Sequence, residues 1–215
     1  MRANGSSCFK RLVTCVSRRL YLPALCCTAL FAADAHSVAQ QPVEVPLAMH
    51  EVMIDGRLGP REWSDATQFK LGDKAIIKVK RNEEYVWIAV EYLAGEDFIV
   101  DLYLQTGDGA LYDLHSSAKL GERKLAGKTW PEPWTWWNND GWVANCSRVD
   151  SFEQRTFLPQ KVREFQISRE RFGGKSWRIY FELMSPGKPD WQRFTYPDGA
   201  KNTSVDKWIT LRFMP

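Results

Sequence analysis

The sequence predicts an all-β fold: an antiparallel β-sandwich, jelly-roll-like, of about ten strands. Three observations predict it. Apolar residues alternate with polar ones over many short runs, the period of a half-buried strand. Turn signals such as Gly107-Asp108-Gly109, Asn138-Asn139-Asp140-Gly141, Gly173-Gly174 and Pro197-Asp198-Gly199 separate those runs. No segment carries a sustained helical stripe.

The clearest stretch is Ala75–Gln105, which reads as three consecutive strands. Ala75, Ile77 and Val79 alternate with Lys78 and Lys80. After the break at Asn82-Glu83-Glu84, Val86, Ile88 and Val90 form one face and Tyr85, Trp87 and Glu91 the other. Phe98, Val100, Leu102 and Leu104 then alternate with Asp101, Tyr103 and Gln105. Strands this close in sequence pair antiparallel, because a parallel pair needs a long crossover. The stretch is therefore expected to form a meander at the centre of one layer.

Upstream, Gln40–Leu47 is a lead-in limited to an edge by Pro42 and Pro46. Asp55-Gly56 signals a turn, and Pro60 suits the first turn of a brief helix carrying Glu62 and Trp63. Trp63 is expected to plug one end of the sandwich. Downstream, Leu111–Leu114, Gly141–Asn145, Trp177–Leu183 and Lys207–Phe213 each read as strands. Glu164–Phe172 reads as a strand ending in a short turn at Arg169–Phe172, with a helix as the competing assignment. Trp87, Trp142, Trp177 and Trp208 sit within strand runs and are expected to pack.

The first 39 residues read as an export signal. A basic region ends at Arg18-Arg19, and Leu20–Ala33 is apolar but short for a bilayer span. Cleavage patterns end at Ala35 and Ala39, the second preferred. Ser17-Arg18-Arg19-Leu20-Tyr21-Leu22 resembles the twin-arginine motif, and an ordinary secretory signal stays open beside it. The expected location is secreted or periplasmic, with no membrane attachment after cleavage. Five of the 29 basic and one of the 26 acidic residues fall in this leader, so the remainder holds 24 and 25 and is nearly neutral. That balance gives no electrostatic footprint for nucleic acid. Four of the five cysteines also lie in the leader, leaving Cys146, expected as a buried strand residue.

All ten tryptophans follow residue 60. Five of them lie within the thirteen residues Trp130–Trp142, alongside Pro131, Pro133, Asn138 and Asn139. The prolines deny a strand ladder its donors, so this is a loop. Indole planes stack on the apolar faces of pyranose rings, while amides and acids satisfy the hydroxyls. The loop can equally fold over the sandwich and bury its own rings. Trp134, Trp136, Trp137 and Asn138 are the expected ligand-binding residues here. Trp191 and Arg193, in a second aromatic loop, are expected ligand-binding residues too, with Asp190 and Tyr196 nearby as hydrogen-bonding groups of the kind a sugar site uses. No G-x-S-x-G, P-loop or H-E-x-x-H occurs, no two metal-ligand types recur at a zinc spacing, and no strand carries alternating catalytic acids. The chain is read as non-catalytic.

Ile54-Asp55-Gly56 followed by Glu62-Trp63 and the run Tyr85-Val86-Trp87-Ile88-Ala89-Val90 resembles the opening of family 9 carbohydrate-binding modules and their DOMON-related kin. Trp142-Val143-Ala144, the paired late strands and Lys207–Phe213 are similar to the rest of that pattern. The tryptophan-rich middle departs from it. The resemblance implies a β-sandwich over residues 40–215 that binds a polysaccharide or oligosaccharide. It also implies calcium, with Asp97, Asp101, Asp108 and Asp113 as the acidic candidates and no EF-hand loop among them. Related sandwiches hold haem b, for which Met49, His50, Met53, Met184 and Met214 would be available, although nothing in the sequence sets two of them facing each other. A third reading, an interaction module docking a partner protein through its aromatic loop, also stays open.

Overall fold

The computed structural model describes residues 41–95, 97–132, 134–136, 141–147, 149–151, 156–158, 160–187 and 190–214. The export-signal assignment lies outside them.

The chain forms the predicted all-β sandwich. Fifteen strands are described: β1 (Val43–Glu44), β2 (Thr67–Leu71), β3 (Ala75–Arg81), β4 (Tyr85–Tyr92), β5 (Ile99–Gln105), β6 (Leu111–Ser116), β7 (Leu120–Lys124), β8 (Thr135–Trp136), β9 (Trp142–Ala144), β10 (Val149–Ser151), β11 (Thr156–Phe157), β12 (Val162–Ser168), β13 (Ser176–Ser185), β14 (Gln192–Tyr196) and β15 (Ile209–Arg212). The count exceeds ten because several strands are two- or three-residue edges. One helical turn, α1 (Arg169–Phe172), follows β12 and is capped by Ser168, whose hydroxyl accepts from the Arg171 amide. This agrees with the strand-then-turn reading of that stretch.

The smaller sheet has the order β2-β3-β4-β12-β9, and the larger runs β1-β15-β13-β5-β6-β7-β8. In the larger sheet one edge of β13 is shared, with β15 along its first half and β14 along its second. The strands β10 and β11 form a separate ribbon. Between the two sheets lies one core. Ile77, Val79, Ile88, Val90, Phe165 and Ile167 come from the smaller sheet, and Val100, Leu102, Leu104, Ile179, Phe181, Leu183 and Ile209 from the larger.

The expected three-strand meander is corrected at its third member. β3 and β4 pair antiparallel, but β4 takes β12 on its other edge, and β5 crosses to the larger sheet between β13 and β6. Both strands are apolar on the face they turn inward, so each sits in the middle of a sheet. Alternation marks a strand as half-buried but does not say which layer buries it.

Trp63 does not plug an end. It lies on the outer face of the smaller sheet, in a satellite cluster with Trp87 and Ala89 that also takes in Val52, Ile54, Leu58 and Tyr85. Residues 60–65 make consecutive turns rather than a helix, with Glu62, Ser64 and Ala66 each bonding the carbonyl three residues back. The Val52–Ala66 segment is thus a lid on that sheet. Gly56 has a φ of 80°, and a Cβ there would press on the side-chain amides of Gln160 and Asn145. Only glycine meets both demands.

Candidate functional site

The larger sheet turns its unusual chemistry outward, away from the core. Its registry sets two lateral rows side by side. Glu182 of β13 lies opposite Asp101 of β5, which lies opposite His115 of β6 and then Gly121 of β7. In the next row Tyr180, Tyr103, Asp113 and Arg123 follow across the same four strands. Facing side chains in neighbouring strands stand within contact distance.

These polar groups are largely buried. Asp113 is wholly enclosed, and Asp101 and Glu182 are 6% and 5% exposed. Charges held so far from water need partners, and most have them. Arg123 reaches Asp113 Oδ2 at 2.6 Å and Glu132 at 2.7 Å. His115 Nδ1 lies 2.5 Å from Asp101 Oδ1, and its Nε2 lies 2.8 Å from Ser117 Oγ. The Tyr180 hydroxyl donates to Glu182 Oε1, and Arg193 meets Oε2 at 3.2 Å. Beside the acids an aromatic group is packed under the Ala200–Trp208 loop. Tyr180 stacks on Trp208, Tyr103 is tilted against both, and Trp130 is tilted against Tyr103.

The pairing is incomplete. Asp113 Oδ1, Arg123 Nε and Trp130 Nε1 are buried without a hydrogen-bond partner. Burial, with Asp101 and Glu182 adding repulsion, pushes the Asp113 carboxyl up to about 8 against the pull of Arg123. Burial likewise raises Glu182, and raises the Tyr103 and Tyr180 hydroxyls further above their ordinary values.

Two expected ligand residues join this face. Trp134 is half-buried; the Arg123 guanidinium sits 3.7 Å from its ring centre and the His115 ring 5.0 Å away. A cation so close to the indole face holds the ring in one orientation. Arg193 reaches the same face through Glu182, with most of its side chain exposed. Trp136 is on β8, its backbone opposite Gly121. Trp137 and Asn138 lie outside the described residues. Trp191 is 58% exposed and adjoins Gln192, which lines a cleft of about 470 Å³ with Lys74, Tyr92 and Ser185. Tyr196, expected beside a sugar, instead stacks on Phe69 at 5.9 Å and packs against the core. The reason is parity: Phe194 and Tyr196 share the inner face of β14, and Arg193 takes the outer.

The packing roles expected of Trp87, Trp142, Trp177 and Trp208 hold, since each is nearly enclosed. Cys146 is a free thiol just past β9, half-buried, its pKa raised by that burial.

Each acidic calcium candidate bonds a partner of its own. Asp97 goes to Arg163 and Ser147, Asp108 to Thr106 and the Ala110 amide, Asp101 to His115, and Asp113 to Arg123. Among the described residues no three His, Cys, Asp or Glu side chains are placed together to hold a metal ion. Met49, Met53 and Met214 are exposed, as is His50, and Met184 lies near Arg193.

Comparison with protein-family models, curated proteins and solved structures returned no match.

Sequence reasoning named Trp134 and Arg193 but passed over Tyr103, Tyr180, Glu182, Arg123 and His115. A signal was present: Asp101 and Glu182 are each the lone acid of a largely apolar strand, where a charge is unexpected.

Proposed function

We propose that this protein is an exported, non-catalytic carbohydrate-binding module whose ligand lies on the outer face of the larger sheet. The observation carrying the reading is the Trp134 indole, clamped by Arg123 at 3.7 Å beside the buried Asp101 and Glu182 and the half-buried His115. A pyranose needs one flat, pre-oriented aromatic plane and a few fixed polar groups, and little else. A plane already immobilised loses little entropy on binding. The resemblance to family 9 modules supports the same ligand class. Export to the periplasm or beyond suits a polysaccharide or oligosaccharide partner.

A non-catalytic role is favoured because the acids are committed to holding the face together. Asp113 is enclosed, and Glu182 is tied by Tyr180 and Arg193. The haem alternative draws no support from Met49, Met53 and Met214, since a haem needs two donors facing across an apolar slot and these three are exposed.

The test is titration of tryptophan fluorescence with a panel of soluble glycans, run beside affinity gels. Trp134→Ala should weaken binding by ~2 kcal/mol, roughly thirtyfold, while leaving the circular dichroism unchanged. A flat response across the panel, with no retardation in gels, would remove the glycan reading and favour a protein partner.

A further inference from the structure

Resting on the glycan reading for its ligand class, we infer that a second sugar subsite, separate from the outer face, lies in the cleft between the two layers where β4 and β13 finish. The cleft has a volume of about 470 Å³, within the size range of small-molecule sites. Tyr92 closes β4 and Ser185 closes β13, and the Tyr92 hydroxyl donates to Ser185 Oγ at 2.6 Å, joining one layer to the other. Lys74, from the turn between β2 and β3, and Gln192, the first residue of β14, extend the two walls.

Asp97, also on the cleft wall, supplies an oriented acceptor. Its Oδ1 takes hydrogen bonds from Arg163 Nη2 at 3.2 Å and Ser147 Oγ at 3.3 Å, and both donors are buried. Held from behind in this way, the carboxylate keeps one orientation. Its Oδ2 accepts nothing among the described residues, and 34% of the side chain stays exposed. Ser185 accepts from Tyr92 and keeps its own proton to donate, and Gln192 brings an amide at the mouth. Each sugar hydroxyl can give one hydrogen bond and take others, so a fixed acceptor beside donors suits adjacent hydroxyls of a pyranose.

The rim supplies the aromatic plane. Trp191, next to Gln192, is largely exposed, and among the described residues no ring or cation lies over its indole. On the other layer Leu93, between the lining residues Tyr92 and Ala94, is half exposed. Apolar side chains left in water beside a polar cleft mark a binding site. An open indole offers the flat surface on which the C–H face of a sugar stacks.

The experiment uses the purified protein and β-1,4-linked hexamers of glucose, xylose and mannose, read by isothermal titration. Trp134→Ala serves as the background, since it removes the plane of the outer face. That background is expected to keep measurable binding. Adding Trp191→Ala or Asp97→Asn should each lower the remaining affinity about tenfold, while Trp191→Phe, which keeps a plane, should retain most of it. Circular dichroism reports the fold of each variant. Asp97→Asn leaves an oxygen for Arg163, and should it not fold, Gln192→Ala, at an exposed position, takes its place. Affinity unchanged by both substitutions overturns the cleft and leaves the outer-face reading standing, as does complete loss of binding with Trp134→Ala alone. A loss confined to one of the two means that plane and acceptor do not serve the same sugar, and overturns the cleft too. Failure of every hexamer to bind the wild type overturns both.

Discussion

Asp113 concentrates the electrostatic cost of the outer face. Its carboxyl is raised to about 8 chiefly by burial, so the folded chain keeps a proton that the unfolded chain releases near the ordinary carboxylate range. The stability contributed by that proton is complete at low pH and fades as pH rises toward 8. Asp113→Asn removes the titration and leaves an amide oxygen to accept from Arg123. Urea unfolding at pH 5 and at pH 8.5 should therefore show wild type losing on the order of 4 kcal/mol more than the variant between the two. Parallel slopes for the two proteins would show that Asp113 does not titrate in this window. Sequence reading noticed Asp101 and Asp113 only as acids available to a metal. Their partners come from neighbouring strands, and no local pattern announces which strand those will be.

At the scale of elements, the Val52–Ala66 lid is fastened by one side chain of the smaller sheet. Glu164 of β12 faces outward yet is fully buried beneath the lid. It accepts from the amides of Asp55 and Gly56 at 3.2 and 2.8 Å and from Trp63 Nε1 at 3.0 Å. Lys80 holds the other side of the lid, through Asp65 at 3.0 Å and the backbone carbonyls of His50 and Glu62. The Met49 amide and Lys80 lower the Asp65 carboxyl, although its partial burial alone would raise it. Glu164→Ala removes the acceptor of three donors at once, the buried Trp63 indole N–H among them, and a loss of about 3 kcal/mol is expected in denaturant unfolding. Hydrogen exchange at the Asp55 and Gly56 amides should accelerate more than exchange in β4. Unchanged exchange at those two amides would mean the lid is held by its apolar contacts alone. Burial also raises Glu164 to about 7, so deprotonation above that pH opposes the lid in the same sense as at Asp113. The Asp55-Gly56 turn and the indole of Trp63 are legible in the sequence. Their common anchor lies about a hundred residues away in β12 and is not.

At the scale of the molecule, a single core joins both layers, with β4 and β5 as the central strands on either side of the crossing. Leu102→Ala, at a fully buried position of β5, should cost about 2–5 kcal/mol. Far-ultraviolet dichroism and tryptophan fluorescence should move together in one transition, since neither layer buries its apolar face without the other. Separate midpoints would show that the sheets unfold independently. The sequence by itself determined the all-β class, most strand positions and the packed state of the strand tryptophans. Those follow from period-two alternation and turn residues, which act over a few neighbours in the chain. Only the tertiary structure decided that β5 leaves the layer of β4, that Trp63 covers a sheet face, and that Glu182, Asp101, Asp113 and Trp134 meet on one surface. Such meetings depend on long-range strand pairing and registry, where a shift of one residue would turn every side chain to the opposite face.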